Sequence, residues 1–270
     1  MRGTSSTSFA EVLRQAEAAP AADAVPDTEA EELFSVADAI DSSNQLVRML
    51  SDAGRPAAVK EAAVRSLFEG RVGPRTLELA LEVVRRRWSE QEDILDALEL
   101  LGVSTLLDLA LREGVLEQIE GELFQVSRLI DGSGDLTSAL DGARDEPARR
   151  AVLLRRLLEG RVHSLTVILA ARAVGRRSEL KPARRVEEFA RFAADRRRRA
   201  FAEVASAVPL NESQQARLSA VLTGIYGREV QLNLQVDPEV VGGLRIQVGD
   251  DLYDATVLAR LSRARSSLVA

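Results

Sequence analysis

The chain has 270 residues, enough for one large domain or two ordinary ones with a sizeable core. Its 36 basic and 42 acidic side chains leave a net charge of −6, so no overall basic field recruits nucleic acid or anionic lipid. The absence of cysteine excludes disulfides, thiol catalysis and thiolate metal sites together.

Met1 to Ala10 carries one Arg and a Ser/Thr-rich stretch rather than a basic region followed by an apolar one, so it does not read as a secretory signal. Residues 8–19 predict a short amphipathic helix, followed by a loose linker from Pro20 to Thr28, with ordered structure expected from Glu29. An internal repeat then begins. Leu33-Phe-Ser-Val-Ala-Asp-Ala-Ile-Asp-Ser-Ser43 returns as Leu123-Phe-Gln-Val-Ser-Arg-Leu-Ile-Asp-Gly-Ser133, and Leu67-Phe-Glu-Gly-Arg-Val72 as Leu157-Leu-Glu-Gly-Arg-Val162. The same shift aligns Thr76, Leu79, Ala80 and Val84 with Thr166, Leu169, Ala170 and Val174. Over residues 33–87 about two positions in five are identical without a gap.

Each copy reads as helices. Leu33, Val36, Ile40, Leu46 and Leu50 recur at helical spacing, as do Leu77, Leu81 and Val84. Breaks are expected at Gly54-Arg-Pro56, Gly70, Gly73-Pro74 and Gly102, and in the second copy at Gly132-Ser-Gly134, Glu146-Pro147 and Gly160. The pieces are short, so each copy is expected to be an antiparallel bundle, with one linking helix from Thr105 to Ile130. The apolar run Val103 to Leu111 is interrupted by Ser104, Thr105 and Asp108 and is too short to span a bilayer.

The pattern changes after residue 200. Ala200 to Val208 reads as a strand, and Asn211 as the N-cap of a helix ending near Tyr226, with Gln214 in the capping-box position. Val230 to Val236 and Leu244 to Val248 alternate as strands, joined by a turn with Asp237-Pro238 and Gly242-Gly243. Gly249-Asp250 turns into Leu252-Tyr253-Asp254, and a basic terminal helix closes the chain. The expected class is mainly α: a duplicated antiparallel helical bundle, then a small C-terminal α/β domain. The boundaries are a short helix and linker over 1–28, copies over 29–120 and 121–199, and the α/β domain over 200–270.

Candidate chemistry is sparse. His163 is the only histidine, and at the start of a predicted helix it reads as an N-terminal contact or surface group rather than a metal ligand or base. There is no phosphate loop and no nucleophile motif. Glu29, Glu31 and Glu32, and Glu90, Glu92 and Asp93, read as solvated helix starts favoured by the macrodipole rather than as acid/base pairs. No catalytic residue, cofactor site or metal site is identified. The run Arg196-Arg-Arg-Arg199, with Arg184, Arg185 and Arg191 nearby, reads as a solvated basic helix end or a contact for an acidic partner helix. The spacing of Phe189, Phe192 and Phe201 suits a buried stripe better than a nucleic-acid stacking platform. A Gly-Gly pair after Asp-Pro supplies positive φ for a tight turn.

The stretch Leu232 to Gly249, followed by Asp250-Asp-Leu-Tyr-Asp254 and Leu258-Ala-Arg-Leu-Ser-Arg263, resembles the C-terminal signature of F-type ATP synthase delta subunits. The positions that carry it are Asp237, Pro238, Gly242, Gly243, Arg245, Val248, Gly249 and Asp250. Ser206-Ala-Val-Pro-Leu210 and Tyr226-Gly-Arg228 match the approaches to this motif, which covers roughly 200–270; the helical part resembles the family's bundle more loosely. Typical members are shorter by the length of the repeat, so the chain is similar to actinobacterial forms with a duplicated helical segment, and more distantly to the mitochondrial oligomycin-sensitivity-conferring protein.

That resemblance implies a non-catalytic stator subunit of the peripheral stalk. Its partners would be the N-terminal helices of the alpha subunits of the catalytic head and the end of a b-type stalk subunit. One copy per complex, no nucleic acid, no cofactor and no direct membrane insertion are implied, with the subunit held peripherally on the cytoplasmic face of the cell membrane. The expected contact is a helix in a groove. Candidate groove helices are Thr76 to Trp88 and Thr166 to Arg177, with Leu77, Leu81, Val84, Trp88, Val167 and Val174 as possible partner contacts; a buried core role for Trp88 stands beside that. A helical-repeat adaptor unrelated to ATP synthase is the alternative.

Overall fold

A computed structural model describes residues 1, 3–18, 26–142, 146–176, 180–226, 230–237, 240, 242–249 and 251–256. The chain divides into two compact units, Met1–Ala193 and Ala194–Ala270. The helices of the first half are α1 (Thr4–Ala18), α2 (Pro26–Asp41), α3 (Asn44–Ser51), α4 (Ala57–Phe68), α5 (Pro74–Arg85) and α6 (Asp93–Arg112). They are followed by α7 (Leu116–Gly132), α8 (Gly134–Gly142), α9 (Pro147–Leu158), α10 (Ser164–Val174) and α11 (Pro182–Ala200). The repeat is carried helix by helix: α9 and α10 begin ninety residues after α4 and α5, as α7 does after α2. Ser43 and Ser133 cap the same turn, each hydroxyl accepting from the backbone N–H three residues on (Leu46 at 3.4 Å and Leu136 at 3.3 Å).

Apolar residues at helical spacing form the interior. Leu33, Val36, Ile40 and Leu50 are fully buried with Val64, Val83, Ile94 and Leu98. In the second copy Leu123, Ile130, Leu154, Leu169 and Phe189 play the same part. The helix α1 is pinned to the bend before α6: Ser5 donates to Asp93 at 2.6 Å, and the Ser5 hydroxyl accepts from the Ser89 N–H at 2.7 Å. Ser8 adds a bond to the Arg87 carbonyl at 2.8 Å.

Three expectations for this unit need correction. Gly102 is not a break: it lies inside α6, because a Cβ there would come within 2.6 Å of the Phe34 ring. The glycine serves close packing. The single linking helix from Thr105 to Ile130 is two helices, divided at Gly114, whose φ of +73° ends α6 and lets the Val115 N–H bond back to the Ala110 carbonyl at 2.9 Å. Of the expected linker, residues 20–25 lie outside the described residues, and α2 is already under way at Pro26.

In the second unit, β1 (Phe201–Ser206), α12 (Glu212–Tyr226), β2 (Gln231–Val236), β3 (Leu244–Val248) and β4 (Asp251–Asp254) make a mixed sheet of order β2-β1-β3-β4. Strand β1 runs parallel to β2 and antiparallel to β3, with Val204 opposite both Leu234 and Ile246. Ala202, Val204, Ile246 and Val248 pack with Leu222 and Leu218 of α12. The capping box forms as the spacing predicts: Asn211 Oδ1 accepts from the Gln214 N–H at 2.9 Å, and Gln214 Oε1 accepts from the Asn211 N–H at 3.0 Å. Strand β4 has no counterpart in the sequence reading. The expected terminal helix lies outside the described residues. Among the described residues, no helix is long and apolar enough to cross a membrane.

Candidate interaction site

Leu77, Leu81, Val84, Trp88 and Val174 are all buried, and Val167 is half-buried. The Trp88 indole donates to the Val83 carbonyl at 2.9 Å, as a core tryptophan must when its N–H leaves water. The outward side of α5 is carried by Glu78 and Arg85, and that of α10 by Ile168.

What holds these two helices in place is a duplicated carboxylate. Glu32 of α2 accepts from the Gly73 N–H at 2.9 Å and the Thr76 hydroxyl at 2.5 Å, at the start of α5. Ninety residues on, Glu122 of α7 accepts from the His163 N–H at 2.9 Å and the Thr166 hydroxyl at 2.6 Å, at the start of α10. Each satisfies orphan donors and sets a negative charge against a helix N-terminus. Burial pushes the Glu122 carboxyl upward, but the bonds from Thr166, Gln118 and the His163 N–H outweigh it and hold the group below its ordinary value. His163 itself is an N-cap, its Nδ1 accepting from the Leu165 N–H at 3.2 Å.

Of the acidic helix starts, Glu31, Glu90 and Glu92 are exposed as the solvated reading expects, whereas Glu29, Glu32 and Asp93 are not. Glu29 is buried beside Arg75 (3.6 Å); burial raises its carboxyl, and Arg75 and Thr105 offset only part of that. Asp93 is buried and bonded to Ser5. The signal for the caps was present, since Glu32 and Thr76 recur as Glu122 and Thr166 under the repeat shift.

A second ionic assembly joins the copies. Glu99 of α6 is fully buried and receives Arg172 at 3.0 Å, Arg176 at 3.1 Å and Arg185. Asp96 meets Arg176 at 2.8 Å, and Asp38 of α2 receives both terminal nitrogens of Arg172 at 2.8 Å. Arg172 also lies 4.7 Å from the centre of the Phe34 ring. Burial opposes the Arg176 charge, yet Glu99 and Asp96 raise its pKa further above the guanidinium range. Three carboxylates from the first copy thus balance three guanidinium groups from the second.

The basic helix end is largely compensated. Arg184 and Arg191 pair with Glu187 at 2.7 and 2.6 Å, Arg198 with Asp195 at 3.2 Å, and Phe189 is fully buried. Phe192 packs against the same interior, beside Phe9 at 6.2 Å between ring centres, and Phe201 opens β1. No cluster of metal-ligating side chains occurs among the described residues.

The C-terminal motif is a backbone crossing. Gly242 and Gly243 have φ of +141° and +85°. A Cβ on Gly243 would stand 2.4 Å from the Ala255 carbonyl oxygen, while the Ala255 N–H bonds the Leu244 carbonyl at 3.0 Å. The segment after β4 therefore passes directly over the glycine. The Asp237 N–H bonds the Ser206 carbonyl at 2.9 Å, Val248 is buried opposite Ala202, Arg245 pairs in register with Asp254, and Gly249 turns with φ of +59°. Pro238 and Asp250 lie outside the described residues. The Tyr226 hydroxyl is 3.0 Å from Asp251 and 3.3 Å from the Tyr253 hydroxyl, which ties α12 to β4; burial first, then these two neighbours, raises its pKa.

A family model described as ATP synthase delta (OSCP) subunit matches residues 103–268. The chain belongs to that family. Curated relatives with the name ATP synthase subunit delta agree. One from Beutenbergia cavernae is 41% identical over 239 residues, 88% of either chain. One from Kineococcus radiotolerans is 41% identical over 238 residues, 88% of this chain and 86% of its own. One from Thermobifida fusca is 39% identical over 272 residues, 99% of either chain, so the duplicated length is shared with that delta subunit. The delta (OSCP) match begins inside α6 and takes in α7 to α11 and the sheet. It leaves α1 to α5 outside, so the second copy carries the family pattern.

Proposed function

We propose that the chain is a non-catalytic stator subunit of an F-type ATP synthase, linking the catalytic head to the peripheral stalk. The observation that carries this reading is the family match, which spans a helical bundle and the small α/β unit together. In this reading the helical copies engage N-terminal helices of the alpha subunits, the C-terminal unit engages the end of a b-type subunit, and one copy serves each complex. The association with the membrane is peripheral, on its cytoplasmic face, through the complex. The physical task is to resist torque, and bundles cross-linked by buried ion pairs and side-chain caps suit a load better than a hinged array does.

Membrane vesicles carrying ATP synthase stripped of its delta subunit provide the test. Adding the full chain should restore ATP-driven proton pumping, with head and chain recovered in equal amounts. Failure of the folded chain to rebind or to restore pumping would refute the stator reading.

A further inference from the structure

The sheet of the C-terminal unit has two edges of unlike character. Strand β4 forms one; it is short, and it begins and ends with aspartate, Asp251 and Asp254. A second copy laid against it would bring carboxylates together, which is one way edges are protected from pairing. Strand β2 forms the other edge. Gln231-Leu-Asn-Leu-Gln-Val236 is six residues without a charge, a proline or a glycine. Among the described residues it pairs with β1 alone, so the backbone groups on its outer side join no ladder. Asn233 and Gln235 are exposed on one face, and on the other Leu234 and Val236 are 36% and 50% exposed. An uncharged, partly apolar edge of this length is a template for another strand.

The pattern of β2 is also its own complement. Two copies related by a two-fold axis perpendicular to the sheet run antiparallel and keep the same face up, so each residue meets one of the same parity. With the axis at Asn233, that residue stands opposite its counterpart, and Leu232 of either copy stands opposite Leu234 of the other. Amide meets amide on the polar face. Leucine meets leucine on the face where Leu232 packs with Leu222 and Leu218 of α12. An axis one residue further on, at Leu234, would draw Asp237 into the pairing. The Asn233 register leaves that charge out.

We infer that two copies of the chain associate through β2, antiparallel and in register at Asn233, joining their sheets into one of eight strands. The contact is confined to one strand from each copy and is therefore weak, with a dissociation constant on the order of 10–100 µM. The stator reading gives each complex one copy, so the pair is a state of the unassembled chain, and its absence would leave that reading untouched.

Sedimentation velocity of the full chain over about 1–200 µM tests this without any variant. The sedimentation coefficient should rise with concentration and stay unchanged between about 0.05 and 0.5 M salt, because the paired strands carry no charge. N233K sets two ammonium groups face to face on the axis, while within its own copy position 233 lies opposite Glu203 of β1. It should weaken association about fivefold or more. The chain has no cysteine, so N233C carries a single thiol, and at the axis the two Cα atoms fall within disulfide reach. Mild oxidation should convert it to a cross-linked dimer, whereas Q247C, exposed on the same face of the inner strand β3, should stay monomeric. Circular dichroism and melting temperature check that each variant is folded. A monomer at every concentration, or equal cross-linking of N233C and Q247C, would overturn the inference. A dimer that high salt dissolves and N233K leaves intact would place self-association on charged surfaces and overturn it equally.

Discussion

Gly102 shows how a residue that looks like a break becomes a packing element. Alanine is favoured over glycine inside a helix by about 1 kcal/mol, so an exposed Gly→Ala change would stabilise. Here the new Cβ meets Phe34 at 2.6 Å, and the ring cannot retreat freely because it is buried and Arg172 lies over it. Overpacking of this kind costs about 1–3 kcal/mol, which exceeds the propensity gain. Gly102→Ala is therefore expected to lower the midpoint of urea denaturation; a raised midpoint would mean the interior yields more easily than the contact implies. The positive φ of the Gly242-Gly243 pair was legible from its place between Asp-Pro and a strand. The crossing segment above Gly243 was not, because residues 255–256 carry no mark of where they pass.

At the scale of elements, caps decide where helices start. Glu122 reaches from α7 to the first turn of α10, and bonds to a charged acceptor contribute about 1.5–3 kcal/mol each before losses to solvent. Glu122→Ala should destabilise the bundle by about 2 kcal/mol at neutral pH. The folded carboxyl is held below the ordinary glutamate value of 4.5, so its contribution is fully present above that pH and is lost as pH falls through the lower folded value. Denaturation of wild type and variant should thus converge in acid; a gap unchanged from pH 7 down to pH 3 would refute the charged-cap account. Most helices could be read from their spacing and glycine or proline borders. Strand β4 could not, since all four of its residues are exposed and leave no alternation of buried and exposed positions.

For the whole molecule, the ionic assembly around Glu99 ties together two copies that also share apolar packing at Ala30, Phe34 and α6. Its partners are brought together from sequence separations of 73 to 134 residues. Removing one member of a buried network leaves its partners charged and dry, at a cost of about 3–5 kcal/mol. Glu99→Ala should cost that much by chemical denaturation, whereas Glu188→Ala, which removes a largely exposed partner of Arg185, should cost within about 0.5 kcal/mol. Equal and small effects would show that packing along α6 alone joins the copies. The assembly is not inherited from the repeat: Glu99 corresponds to Phe189, and Arg185 to Leu95.

By itself the sequence determined the number and order of most helices, the strand-helix-strand pattern of the C-terminal unit, the duplication and the family to which its motif points. Each of these is written in local spacing, in breaks, or in a register that one shift reveals. Tertiary structure alone decided which carboxylates are solvated, which are half-buried caps and which are buried, and where Glu99 finds its arginines. It also decided that Leu77, Leu81, Val84 and Trp88 face the interior. A residue's type and periodicity say that a side chain is charged or apolar. Its partner is chosen by which helices fold together, and that choice depends on groups far apart in the chain.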